Sequence, residues 1–86
     1  MINKLSTDKR YEAADKLAAA FTPVVGPKFC DLNKGTQFGI IINQQFSVNG
    51  EVTCLNDHYG EDIAMHLTNL IIQRLCRNSV IVEVDL

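Results

Sequence analysis

The chain has 86 residues, 47% of them hydrophobic, enough apolar material for one small folded domain (residues 1–86) and too much for a disordered segment. Eight basic residues against ten acidic ones give a net charge of −2 and a pI near 5.5, so no global field draws the chain to nucleic acid or an anionic membrane. The N-terminus carries no signal-peptide core and no apolar run approaches the ~18 residues that span a bilayer, so a soluble, unprocessed cytoplasmic protein with no membrane partner is expected.

Met1 to Leu5 read as a lead-in. Ser6, Thr7 and Asp8 are good N-caps just before a helical pattern, in which Tyr11, Ala14, Leu17, Ala18 and Phe21 recur at spacings of three and four. Lys9, Arg10, Glu12, Asp15 and Lys16 make the solvated side. Pro23 is expected to end this first helix by biasing Thr22 out of the helical region. Residues 23–37 are broken by Pro23, Gly26, Pro27 and Gly35. Within them Lys28 to Leu32 reads as either a short edge strand or a loop, and Asn33-Lys34-Gly35-Thr36 as a turn.

From Phe38 to Leu55 the pattern changes to a period of two. Phe38, Ile40, Ile42, Gln44, Phe46 and Val48 alternate with Gly39, Ile41, Asn43, Gln45 and Ser47, as in a strand with one buried face. Asn49-Gly50 then marks a hairpin, since both residues tolerate a positive φ. A three-residue loop, Val48 to Gly50, pairs Phe46 with Val52 and Gln44 with Cys54. It puts the apolar sets of both strands on one face, and is the expected register.

Asn56 to Gly60 read as a loop into a second helix, from about Gly60 to Arg77. Ile63, Leu67, Leu70, Ile71 and Leu75 form its apolar stripe, widened by Ala64, Met65, Ile72 and Cys76. Asn78 suits a left-handed C-cap. Val80 to Leu86 alternate as a β-branched strand, expected to lie antiparallel to the first hairpin strand. The predicted fold is α+β: a two-layer sandwich in which a three- or four-stranded, mostly antiparallel sheet carries both helices on one face.

The open face of such a sheet would present Ile41, Asn43, Gln45 and Ser47, side chains suited to adaptable contact with a protein partner, and its edge invites a homodimer. A second candidate region is the loop Asn56, Asp57, His58 and Tyr59, where the helix N-terminus could receive a small ligand or substrate. His58, Asp62 and His66 share the four-residue spacing of metal ligands but lack a fourth member. Cys54 lies near His58, yet a thiol on a buried strand is inert. Capping and helix-dipole roles account for Asp57, Glu61 and Asp62. No phosphate-cradling glycine motif, zinc-binding motif or cofactor motif is present, so no cofactor is expected. Cys30, Cys54 and Cys76 are odd in number, widely spaced and set among apolar residues, which reads as reduced, buried thiols. These features favour a small protein-interaction or regulatory module, such as an inhibitor, over an enzyme. The alternative is a small-ligand binder or enzyme at the 56–60 loop.

Overall fold

The structure, a computed structural model, describes residues 4–76. The first helix, α1, runs Thr7–Val25. Ser6 caps it, its side chain accepting a hydrogen bond from the Lys9 N–H at 3.3 Å. Pro23 does not end α1 but lies inside it. The N–H that proline lacks would have bonded Ala19, on an exposed part of the helix where water can satisfy the freed carbonyl. The helix stops at Gly26, whose φ of 84° is open mainly to glycine.

The chain then makes a short 3₁₀ turn, Phe29–Asp31, in place of the possible edge strand. It enters a second helix, α2, over Lys34–Asn43. This helix overturns the first half of the expected hairpin. Asn33 accepts a hydrogen bond from the Thr36 N–H at 2.8 Å, so the residues expected to turn are an N-cap and a first helical turn. Gln37 and Ile41, four apart, are the buried pair of α2, and the helix packs against the long helix over Glu61–Leu75. The run Phe38 to Ile42 is too short and too uniformly apolar to separate a period of two from one of 3.6.

The strands are short: β1 is Phe46–Val48 and β2 is Glu51–Thr53. Their register also differs from expectation. Phe46 faces Thr53 and Val48 faces Glu51 around a two-residue turn, with Asn49 at φ 53° and Gly50 at φ 86°. Two successive positive φ values match the right-handed twist of the strands. Val52 therefore leaves the face shared by Phe46 and Val48 and is 68% exposed.

A five-residue helix, α3 (Leu55–Tyr59), replaces the expected loop, and Gly60 at φ 90° turns the chain into α4, Glu61–Leu75. Helix α4 is central, packing against α1, α2 and α3. Ile63, Ala64, Leu67, Thr68, Leu70 and Ile71 are all buried, the broad apolar girth expected of it. What covers that girth is three helices rather than a sheet. The α+β sandwich is thus corrected to a helical fold in which the described residues contribute one two-stranded sheet. The expected strand Val80 to Leu86, and Asn78 as a C-cap, lie outside the described residues.

Two buried polar side chains are satisfied locally. Gln37 Nε2 donates to the Phe29 carbonyl at 3.0 Å, and Thr68 Oγ1 donates to the Ala64 carbonyl at 2.7 Å. Polar ties also link α1 to α4. Arg10 donates through Nε to the Leu5 carbonyl at 2.8 Å and meets His66 Nδ1 through Nη1 at 2.9 Å. A guanidinium can only donate, so His66 Nδ1 is the acceptor. Arg74 pairs with Asp15 and stands 5.6 Å from the centre of the Tyr11 ring.

Cys30 and Cys76 form a disulfide, with Cα atoms 5.6 Å apart. This corrects the expectation of three reduced thiols. The 3₁₀ turn sets Cys30 beside the end of α4, a proximity across 46 residues that spacing alone does not reveal. Cys54 is a free thiol, half-buried at the N-cap of α3. No helix among the described residues is long and apolar enough to cross a membrane.

Candidate functional site

A solvent-open groove of about 340 Å³ lies where α1, β1 and α3 meet. Helix α1 contributes Ala13 and Leu17, with Leu5 just before it. Strand β1 contributes Phe46 and Val48, and α3 contributes Tyr59. All six are half-buried, and all but Val48 pack on one side against the core and on the other face the groove. Lys9, Glu12 and Lys16 stand along the α1 side, and Ser47 and His58 complete the lining.

The α1 periodicity explains this second apolar surface. Ala14, Ala18 and Phe21 are buried in the core, while Ala13 and Leu17, also four apart, lie on a different stripe of the same helix. On the hairpin, the observed register turns Phe46 and Val48 to one face. Aromatic contacts stiffen the floor. Phe46 lies 6.1 Å from Phe21 and 6.1 Å from His58, centre to centre, and His58 lies 4.7 Å edge-on from Tyr59. Burial raises the Tyr59 phenol above its ordinary pKa.

Lys9 pairs with Glu12 at 3.7 Å, both side chains well exposed. Lys16 has no carboxylate within ion-pairing distance among the described residues. The groove therefore combines an apolar floor with a rim of two bases and one acid.

The residues expected on an open sheet face do not share a surface. Ile41 is fully buried in α2. Asn43 ends α2, its amide donating to the Gly39 carbonyl at 3.0 Å, and Gln45 is exposed in the link to β1. Ser47 alone of the four lines the groove. Of the second set, Asn56 and Asp57 are exposed on α3, whereas His58 and Tyr59 line the groove. One residue of the first candidate region and two of the second thus meet at a single place. Glu61 and Asp62 occupy the first turn of α4, so its N-terminus is already complemented by carboxylates. His58 and His66 sit on different helices, and no cluster of three potential metal ligands occurs among the described residues.

Sequence reasoning missed Ala13, Leu17, Lys9 and Lys16 as site residues. The i, i+4 pair of Ala13 and Leu17, offset from the core stripe, was the available signal. Compared with protein-family models, curated proteins and solved structures, the chain matches none.

Proposed function

We propose that this chain is a small protein-interaction module, regulatory or inhibitory, that engages a macromolecular partner through the groove between α1, β1 and α3. The observation that carries the reading is the convergence of apolar side chains from three separate elements on one solvent-open surface. Contiguous exposed apolar surface rimmed by polar residues marks interaction sites more often than scattered single residues do. Homodimerisation belongs to the same proposal. So does residence in the cytoplasm, and it stands against the Cys30–Cys76 bond, because such bonds persist mainly in oxidising compartments.

A second reading gives the groove to a small ligand or substrate. It is favoured by the placement of His58 and Tyr59 beside Lys16 in a volume typical of small-molecule sites. Native mass spectrometry of the protein from its own cells separates the two. The wild type is measured beside Ala13→Glu and Val48→Glu, with Asn43→Lys as a control outside the groove and circular dichroism to verify folding. An added protein chain present in wild type and control but lost from both folded groove variants supports the module. A partner that survives both variants overturns it, and a small added mass lost from the same variants transfers the groove to the ligand reading.

A further inference from the structure

We propose that β1 receives an extended segment of a protein partner as an added strand at Ser47, and that this segment alternates apolar and acidic residues. The inference rests on the module reading above and names its partner class.

The register supplies the first part. In a two-residue hairpin the residues flanking the turn, Val48 and Glu51, exchange backbone hydrogen bonds, as do Phe46 and Thr53 two places along. Ser47 and Val52 form the pair between them, so the N–H and C=O of Ser47 point away from β2. Neither group of Ser47 has a hydrogen-bond partner among the described residues. The groove is lined by Phe46, Ser47 and Val48 and by no residue of β2. It therefore runs along the edge of β1 that no described strand pairs, where a donor and an acceptor suit an antiparallel strand.

The lining supplies the second part. A strand laid on this edge turns alternate side chains to opposite sides. One set meets the apolar floor of Leu17, Val48 and Tyr59. Lys9 and Lys16 stand on the α1 rim, and of the two only Lys9 is ion-paired among the described residues, with Glu12, in an exposed pair that is readily exchanged. Acidic residues suit that rim. A second copy of the chain suits it less, because the strand it would pair here, Phe46-Ser47-Val48, brings no acidic residue to that rim.

The test uses the full chain and a short fluorescent peptide of alternating valine and glutamate, read by anisotropy. Binding is expected. It should weaken at least ~tenfold when the peptide amides on one edge are N-methylated or when Ser47→Pro removes the donor, the loss of one or two backbone hydrogen bonds. Lys16→Glu should weaken binding too, and a valine–lysine peptide should bind worse than the glutamate one. The methylated peptide keeps the test decisive if Ser47→Pro does not fold. Absence of binding, or binding indifferent to N-methylation, overturns the proposal. A chain that is dimeric and becomes monomeric in Ser47→Pro also overturns it, by giving the edge to a second copy. If the peptide fails while Ala13→Glu and Val48→Glu still strip the cellular partner, strand addition falls and the module reading stands. If those variants leave the partner bound, both fall.

Discussion

Tyr59 shows at the scale of one residue how the groove is built. Its ring packs beside His58 and against the core, and desolvation raises its phenol above the ordinary 10.0. The folded state therefore holds the phenolic proton more tightly than the unfolded chain does. The associated stability is complete below pH 10 and is lost as pH rises through the folded-state pKa. An ultraviolet titration of tyrosinate should show one phenol ionising above the ordinary tyrosine range, and Tyr59→Phe should abolish that late step. A late step that persists in Tyr59→Phe contradicts the assignment. His66 makes a different point. It sits between Met65 and Leu67 and reads as a flank residue in the sequence, yet it is the acceptor that ties Arg10 of α1 to α4. Nothing within a few residues of His66 announces a partner 56 positions away.

At the scale of the element, α2 is the most instructive. Three consecutive isoleucines favour a strand on propensity, at a level that tertiary context can override. Here the Asn33 cap opens a helix, and burial of Gln37 and Ile41 against α4 rewards it. Asn33→Ala should cost about 1 kcal/mol of stability, the usual value of an N-cap, seen as a lower urea midpoint at unchanged slope. An unchanged midpoint would mean that packing alone holds α2. Gly50 tests the hairpin in the same way. At φ 86° an alanine meets no neighbouring atom but adopts a strained backbone, so Gly50→Ala should cost on the order of 1 kcal/mol. The N-cap of α1, the Asn49-Gly50 turn and the apolar stripe of α4 were legible because each is local chemistry: a side chain bonding its own backbone, two residues that accept positive φ, a 3.6-residue period. The expected hairpin register aligns Val52 with Phe46 on one apolar face, whereas the structure pairs Val52 with Ser47 and leaves it in solvent. Three of the eleven residues that line the groove are candidate site residues in the sequence, for reasons that the structure does not bear out. Ser47 was placed on a sheet face that does not form, and His58 and Tyr59 were placed in a loop that is a helix.

At the scale of the molecule, the Cys30–Cys76 bond ties the link between α1 and α2 to the end of the central helix. Closing a loop across 46 residues stabilises by about 4 kcal/mol on the chain-entropy model. Reduction should therefore lower the melting temperature by more than ~10 °C in a domain this small, and the Cys30→Ser, Cys76→Ser double variant should melt near the reduced protein. Alkylation of denatured, unreduced protein should label Cys54 alone, and all three cysteines after reduction. Equal labelling of all three without reduction would mean that the bond is not formed. The same alkylation in intact cells bears on compartment: a bond found reduced supports cytoplasmic residence, and one found intact opposes it.

The sequence by itself determined the first and last described helices, the turn at Asn49-Gly50 and the width of the buried surface on α4. Each follows from composition or from interactions among residues a few places apart. Only the tertiary structure decided that α4 is covered by helices rather than by a sheet, that Cys30 reaches Cys76, and that α1 turns a second apolar stripe toward β1. The physical reason is common to the three. A short apolar run can bury itself equally well as strand or helix, and two distant residues can meet only where the packing of everything between them brings them together. That choice belongs to the sum of long-range contacts, which no local pattern contains.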